Sequence, residues 1–494
     1  MIARTWLAVV YTAAFTRSSV WAESLSDADI SLVEDRLAEG AQASEERAPG
    51  HFPSVYLLTV LTALLSSYFF SWELGTRSQA LLELNAKSYS VLSDNPLPPP
   101  STIATNLGDA MSTVLGIAKS VVSNRSVSNG GKIGPQPLMN DSAAGDPASL
   151  GMVVLLANWT GQQRTDGLDY AGAAQDQLDF LFQDVPQTSD GAISHRTDQL
   201  QLWSDFVYMA PPFLAYFGMI SQNQTLLSEA YNQISLYRNY LRDSSANNLW
   251  KHIVLGTGVD EGHWATGNGW AAAGILRVLG TIQNSKYAKS MMSEQKDLAN
   301  WVKEIQDGMY GVLDSNWLFK NYPDQNLSAT NFYDASSTAI MASTVYRMAL
   351  MSNVHTHVPL AEKSRLTLSA LSSNASSSDS TSQSTTATNS TISRTTSTTS
   401  APSSTSTSPS TLDSAGPLQH FTSSGWLTPV VDPYMISEQG TTSPEGEAFV
   451  LEMTAAWKDW VAAGSPGANG CLRVSVGWAW AVTLGTGVVL RWSL

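Results

Sequence analysis

The chain has 494 residues, 43% of them hydrophobic, so it is long enough to bury a large apolar core. Forty-two acidic and 27 basic residues give a formal net charge of -15, which argues against a nucleic-acid-binding surface and favours a soluble protein working in acidic or extracellular surroundings. The lone cysteine, Cys471, excludes an intrachain disulfide and a cysteine-rich metal site, so hydrophobic packing must hold the fold.

Residues 1–22 have the pattern of a secretory signal peptide. A basic start, MIAR, precedes the apolar stretch TWLAVVYTAAFT and a small-residue cleavage site ending at Ala22. We therefore expect a secreted protein whose mature chain begins at Glu23. Seven N-x-S/T sequons are compatible with passage through a glycosylating pathway. They begin at Asn124, Asn140, Asn158, Asn223, Asn326, Asn374 and Asn389.

A second apolar run, YLLTVLTALLSSYFF, covers residues 56–70. A membrane-spanning helix needs about 20 apolar residues, and this run is shorter. The run therefore predicts a buried core helix, and no stable membrane partner is expected.

The periodicity of apolar residues between 99 and 460 is mostly helical, and strand signals are few. Residue types typical of functional sites fall in the loops between the predicted helices. This pattern predicts an all-α toroid of helical hairpins, in which the inner helices are apolar on nearly all sides. The predicted helices cover residues 102–123, 146–158, 169–183, 198–210, 224–243, 268–283, 286–309, 334–352, 357–372 and 445–462.

Two segments interrupt the globular pattern. Residues 372–411 are almost entirely Ser and Thr, a composition that predicts a disordered, O-glycosylated insert. We expect residues 412–460 to complete the domain formed by 23–371. The hydrophobic tail 461–494 has no globular period, and it is interpreted as a lipid-anchor signal, a poorly ordered end or an unreliable end of the gene model.

One carboxylate, Asp205, lies in the apolar run of the predicted helix 198–210. Pro211 and Pro212 are expected to end this helix, which places Asp205 near its C-terminus. Burial and the helix macrodipole would both raise the carboxyl pKa, and a carboxylic acid that stays protonated near neutral pH suits a general acid. The alternative is a structural residue that caps a loop or pairs with an arginine.

Two further clusters have the chemistry that binds sugars. His195 and Arg196 precede Asp205 by about one loop, in a segment too polar and short to be core. The second cluster surrounds a glycine-rich loop and contains His252, Trp264 and Trp270. Aromatic faces stack on sugar rings, and His and Arg bind hydroxyls and a uronate carboxylate. Core packing is the alternative for each tryptophan.

Three motifs in the same order resemble glycoside hydrolase family 105, the unsaturated rhamnogalacturonyl hydrolases, and in particular their fungal secreted branch. The motifs are DGAISHR, LWSDFVYMAPPFLAYFG and LWKHIVLGTGVDEGHWATGNGWAAAG. The likeness spans 145–355 and resumes at 421–460. It implies an (α/α)6 barrel, the six-hairpin toroid of the six-hairpin glycosidases. It also implies an oligosaccharide partner, no nucleic acid and no metal or organic cofactor.

The resemblance assigns the general acid to Asp205, within the family motif W-x-D-x-x-Y-M. Enzymes of this family act on pectin fragments that end in a 4,5-unsaturated galacturonic acid. By analogy, Asp205 protonates C4 of the enol ether, water adds at C5, and the resulting hemiketal collapses and expels the neighbouring rhamnose. This route differs from the two-carboxylate schemes at the anomeric carbon.

The resemblance also suggests the substrate-binding residues, which are His195, Arg196, Tyr208, His252, Trp264, Trp270 and Asp146. Asp146 would be the further acidic residue that helps to hold water or sugar. One position departs from the pattern. Bacterial members have an arginine two residues after the first tryptophan, where this chain has Thr266. The sugar contact of that arginine is therefore in doubt here.

Three other interpretations stay open. A different enzyme on the same toroid would be an unsaturated glucuronyl hydrolase, or a lyase that uses Tyr208 and His195 as base and acid. A non-catalytic wall or glycan-binding protein is favoured by the Ser/Thr insert and the unusual C-terminus. The third is a degraded paralogue with a damaged end.

Overall fold

The computed structural model describes residue 60 and residues 70–128, 134–372 and 418–468. The predicted signal peptide, nearly all of the insert and the tail from residue 469 lie outside the described residues. Of the apolar run 56–70, only Val60 and Phe70 are described, and Val60 is helical and fully buried. Among the described residues, no helix combines the length and apolarity that crossing a bilayer requires.

Thirteen α-helices occur in the described ranges. They are α1 Ser71–Asn85, α2 Gly108–Ser128, α3 Gly145–Ala148, α4 Gly151–Trp159, α5 Gln163–Asp166, α6 Tyr170–Gln183, α7 Phe206–Ile220, α8 Gln224–Leu241, α9 Ala265–Asn284, α10 Met292–Tyr310, α11 Ala335–Met351, α12 Val358–Leu368 and α13 Pro444–Ala462. Short 3-10 turns cover Lys87–Tyr89, Thr105–Leu107 and Ser244–Ala246.

The strands are short and pair only as two-stranded antiparallel ladders in the described residues. They are β1 Leu202–Trp203, β2 Arg242–Asp243, β3 Leu249–Trp250, β4 Ile253–Val254, β5 Phe319–Lys320, β6 Tyr333–Asp334, β7 Val430–Asp432 and β8 Met435–Gly440. The pairs are β1 with β4, β2 with β3, β5 with β6, and β7 with β8.

The helices form a closed ring. Helix α7 packs on α4 and α9, α9 on α11, α11 on α13, and α13 on α1. The short helix α3 contacts both α1 and α7 and so completes the circuit. Helices α2, α6, α8, α10 and α12 pack on the outside of this ring. The predicted all-α six-hairpin toroid is confirmed.

The pattern of apolar residues in a helix explains whether it lies in the inner ring or on the outside. Helix α9 is built from small and aliphatic residues, and every residue from Ala265 to Ile282 is buried. Outer helix α10 instead buries a single stripe whose members recur every three to four residues. These are Leu298, Val302, Ile305 and Met309. Inner helix α9 is therefore buried on all sides, and outer helix α10 is amphipathic.

The prediction of a helix over residues 198–210 is wrong at both ends. Residues 202–203 form β1, and α7 begins at Phe206. Pro211 and Pro212, which were expected to end a helix, lie inside α7. The reason is tertiary: β1 pairs with β4, with Leu202 opposite Val254, and this pairing removes residues 202–203 from the helix.

Helix α9 contacts both carbonyls that the prolines inside α7 leave without a helical donor. A proline has no N–H, so the carbonyl four residues earlier loses its helical donor. Opposite Pro212 that carbonyl belongs to Tyr208, and Arg277 of α9 donates to it at 3.1 Å. The Val207 carbonyl, opposite Pro211, packs against Gly274, where an added Cβ would lie 2.1 Å from the oxygen. A glycine is therefore required there for α7 and α9 to approach.

Candidate active site

The β1–β4 ladder places the predicted acid beside the predicted histidine. The Ser204 amide donates to the His252 carbonyl at 2.9 Å. The chain then enters α7, and Asp205 Oδ2 lies 3.5 Å from His252 Nε2. Gly267 of α9 packs against the Ser204 hydroxyl, where an added Cβ would lie 2.3 Å from the oxygen.

Asp205 is the N-cap residue of α7, and its side chain makes no capping hydrogen bond. It therefore lies at the positive end of the helix dipole, which favours a carboxylate, and the predicted C-terminal position was wrong. Burial is nevertheless the largest influence and raises the pKa of Asp205, against the opposing effects of His252 and of a hydrogen bond from Ser204. The predicted direction of the pKa shift is confirmed, and burial is its cause. The side chain is 14% exposed, so solvent or a ligand reaches it.

The second ring nitrogen of His252, Nδ1, contacts Asp260. Its Nδ1 lies 3.0 Å from Asp260 Oδ2. The Trp264 ring centre is 4.6 Å from that of His252, and Trp264 Nε1 donates to the Asn321 side chain at 2.9 Å. His252, a predicted substrate-binding residue, therefore borders Asp205, and Trp264, another, packs on the ring of His252.

His195 and Asp146 form a second pair near the acid. The bridge between Ala143 and Arg196 brings the α3 region alongside the His195 loop, and His195 Nε2 lies 3.6 Å from Asp146 Oδ1. Burial raises the pKa of Asp146 well above its usual range, and the nearby Asp141 and Asp205 add to the effect. Burial also lowers the pKa of His195 to about 3, so this imidazole is neutral.

Arg196 supplies positive charge at the rim. Its guanidinium donates to Ser142 Oγ at 2.9 Å and pairs with Asp198 at 3.3 Å, and its side chain is 24% exposed. The charge of Arg196 opposes the upward pKa shifts of Asp141 and Asp146. It is therefore placed to meet an anionic group that enters beside these carboxyls.

Two predicted residues lie elsewhere. The Tyr208 hydroxyl donates to Glu452 at 2.7 Å in the barrel interior, and its ring contacts that of Trp270 at 4.3 Å. Both side chains are fully enclosed by core residues such as Phe449. Substrate contact by Tyr208 and Trp270 stays a prediction. Thr266, at the position of the family arginine, is buried and donates to Asp334 at 2.9 Å.

Sequence reasoning missed Glu445, the second residue of α13. It is 2% exposed, Trp72 Nε1 donates to its Oε2 at 3.0 Å, and its Oε1 has no hydrogen-bond partner among the described residues. Burial raises the pKa of Glu445 well above its usual range, and Glu73 and Asp205 add to the effect. It lies 240 positions after Asp205, and no local pattern marks it.

An aromatic group beside Glu73 was missed as well. The Phe70 ring lies 4.7 Å from that of Trp72 and 5.1 Å from that of Tyr434. Phe70 and Tyr434 are exposed, and the Tyr434 hydroxyl donates to Glu73 at 3.3 Å. The exposed faces of Phe70 and Tyr434 are apolar and suit contact with a sugar ring.

Two other residues that sequence reasoning missed lie in motifs that it had already identified. Trp203 belongs to the same motif as Asp205, and its indole stacks on His195 with ring centres 4.7 Å apart. Asp260 stands eight residues after His252, in the glycine-rich loop. Backbone hydrogen bonds between Asp260 and Ile253 fold this loop back onto β4, which brings the carboxylate to His252.

A closed toroid of helical hairpins, with a buried acid between histidines and tryptophans at one end, defines the six-hairpin class of glycosidases. The sequence pattern of Glycosyl Hydrolase Family 88 matches residues 120–391, more than half of the chain, so the chain belongs to this family and is a glycoside hydrolase. A comparison with curated proteins gives no match.

Solved structures with the same fold come from family 105. A possible member of family GH105 from Salmonella enterica is 15% identical, with a TM-score of 0.55, and covers 85% of this chain and 98% of its own. One from Klebsiella pneumoniae is 14% identical, with a TM-score of 0.56 and coverages of 90% and 100%. A family 105 glycoside hydrolase of C. acetobutylicum is 12% identical, with a TM-score of 0.53 and coverages of 82% and 99%.

Proposed function

We propose that this glycoside hydrolase removes a 4,5-unsaturated galacturonic acid from the non-reducing end of rhamnogalacturonan oligosaccharides. Asp205 gives its proton to C4 of the enol ether, and the positive charge develops at C5, next to the ring oxygen. The Asp205 carboxylate then takes a proton from water as that water adds to C5. The hemiketal opens and releases the neighbouring sugar, and Asp205 is again protonated.

The observation that carries this proposal is the direction of the pKa shifts around Asp205. Hydrolysis at the anomeric carbon needs one protonated and one ionised carboxyl, the second acting as nucleophile or base. Here burial raises the pKa of Asp205, and it raises those of its neighbours Asp146 and Glu445 as well. Neighbouring carboxyls whose pKa values are raised together support protonation of a carbon–carbon double bond by a single acid. Asp260, whose pKa is lowered, accepts hydrogen bonds from His252 and Tyr322 instead.

The charge distribution supports a uronate at the end of the substrate. Arg196 is the cation whose charge acts on Asp141 and Asp146, and it is partly exposed. A guanidinium binds a carboxylate through charge-assisted hydrogen bonds. The partly buried ring of Trp203, which packs between His195 and His252, offers an aromatic group suited to a sugar ring.

The test is a time course of the ultraviolet absorbance of the conjugated double bond. The purified protein would be mixed with lyase-treated rhamnogalacturonan and, in parallel, with an unsaturated chondroitin disaccharide. Loss of absorbance on the first substrate alone supports the proposal. Loss on the second alone would assign an unsaturated glucuronyl hydrolase, and a gain on intact polymer would assign a lyase. No change, with binding kept, would indicate a glycan-binding protein.

A further inference from the structure

Asp260 collects three hydrogen-bond donors on one carboxylate. The Tyr322 hydroxyl donates to Oδ2 at 2.7 Å, the Gly262 amide donates to Oδ1 at 3.0 Å, and His252 Nδ1 lies 3.0 Å from Oδ2. Burial would raise the pKa of Asp260, but the hydrogen bonds from His252 and Tyr322 outweigh it and lower the pKa. Asp260 is therefore ionised and acts only as an acceptor.

An acceptor at Nδ1 fixes the proton position of the imidazole. In a neutral histidine one ring nitrogen carries the proton and the other carries a lone pair. With Nδ1–H directed at Asp260, the lone pair of Nε2 faces Asp205 Oδ2 at 3.5 Å. Nε2 is buried and has no hydrogen-bond partner among the described residues. An ionised Asp205 would face that lone pair, which favours its protonated form.

We propose that Asp260 is the positioning residue that holds His252 as the Nδ1–H tautomer, so that Nε2 keeps the proton on Asp205 until substrate takes it. This rests on the proposed function. No hydrogen bond joins Asp260 to Asp205 in the described residues, and Asp260 acts through His252. The opposite tautomer would direct Nε2–H at Asp205, stabilise the carboxylate and remove the proton source.

The charged and titratable groups around this pair are few in the described residues. His252 and Asp260 act on Asp205 from this side, because a positive charge on His252 would lower the pKa of Asp205 and the charge of Asp260 raises it. Asp146, Glu445 and Tyr237 interact with Asp205 as well, and the pKa of each of these three buried groups is raised well above its usual range. His195 is neutral and lies on the other side of Trp203, which it stacks on. Tyr322 is held by Asp260, and its pKa is raised. Asp260 is thus the group that selects the tautomer.

The experiment compares Asp260→Asn with a matched variant. A carboxamide can place its NH2 group against Nδ1, which forces the proton onto Nε2 and reverses the contact with Asp205. We expect a fall in kcat of about 10²-fold or more and a shift of the alkaline limb of the pH–kcat profile to lower pH. The control, Asp324→Asn, makes the same change at the neighbouring His263, which Asp324 contacts at 2.7 Å. In Asp324→Asn the alkaline limb of the pH–kcat profile should stay at its wild-type position.

A direct readout is independent of activity. The 15N chemical shifts of His252, assigned by comparison with His252→Asn, report which nitrogen carries the proton. The wild type should show Nδ1–H, and Asp260→Asn should show Nε2–H. A wild-type His252 that carries its proton on Nε2 would overturn the proposal, and this result does not depend on whether Asp260→Asn folds. A folded Asp260→Asn whose pH–kcat profile is unshifted would overturn it as well. Absence of wild-type activity on every unsaturated oligosaccharide would overturn the proposed function instead.

Discussion

His195 and Trp203 stack with ring centres 4.7 Å apart and planes 19° from parallel, and this contact fixes a neutral imidazole at the edge of the site. Burial lowers the pKa of His195 to about 3. The ring therefore offers one donor and one acceptor and carries no charge at ordinary pH. The proposed recognition of an anion therefore falls to Arg196 and not to His195.

Asp205→Asn should abolish turnover while the fold and ligand binding persist. The amide keeps the size of the side chain but has no transferable proton, so we expect a loss of about 10²- to 10⁴-fold in kcat. Thermal unfolding and calorimetric binding of an unsaturated disaccharide check the fold and the site. Asp179→Asn makes the same change at a half-buried position on outer helix α6, where Asp179 accepts from Gln175 at 2.9 Å, and should leave activity unchanged. Wild-type activity in Asp205→Asn would exclude the mechanism, and unfolding would indicate a structural role.

Arg196→Met should raise KM for the unsaturated substrate more than it lowers kcat. The change removes a charge-assisted hydrogen bond to the uronate, which contributes about 1.5 to 3 kcal/mol, or about tenfold to a hundredfold in affinity. Arg242→Met is the matched control, because Arg242 is a partly exposed arginine that pairs with Glu304 on the outer face. Equal KM values in wild type and Arg196→Met would show that another group binds the carboxylate.

The protein should be more stable in mild acid than in mild base. Burial raises the pKa of Glu73 to about 7 and that of Glu452 to about 8, from an ordinary value of 4.5. The folded state therefore binds more protons, so the stability from these groups is complete below pH about 4.5 and is lost as pH rises through about 7 to 8. His195 acts oppositely below pH about 6.5, but the buried carboxyls are more numerous. We expect Tm to fall by several degrees between pH about 5 and about 8.

Glu445→Gln should flatten that pH dependence. Glutamine has nearly the same shape and can still accept from Trp72 Nε1, but it has no proton to lose. We expect the Tm of this variant to exceed that of wild type at high pH and to approach it at low pH. Glu438→Gln, an exposed position on β8, is the control. A uniform loss of Tm at every pH would contradict a protonated Glu445.

Deletion of residues 374–410 should leave activity and Tm nearly unchanged. The chain on either side of the insert is already joined, because Leu371 and Leu418 form a bridge and the Gln419 amide donates to the Ala370 carbonyl at 2.8 Å. Closing a loop of different length changes the free energy by only about 0.6 kcal/mol per doubling. Thermal unfolding and the absorbance assay measure both quantities. A large fall in Tm would mean that the insert packs on the barrel.

The sequence predicted the helices that follow their own periodicity, such as α8, α10 and α13. It failed at α7, because the start of this helix depends on β4, about fifty residues further along the chain. Asp205, His195, His252 and Trp264 were predicted because each belongs to a short motif. The structure brings these four together, although they come from three separate segments.

The order of apolar and polar residues by itself determined an all-helical toroid and a short set of candidate residues, because helical periodicity and motif spacing are local properties of a chain. Tertiary structure alone decided that Asp205 lies at the start of α7, that Asp260 faces His252, and that Glu445 comes from the last helix to join the acids. Burial and charge proximity set these features, and both depend on residues that are distant in sequence.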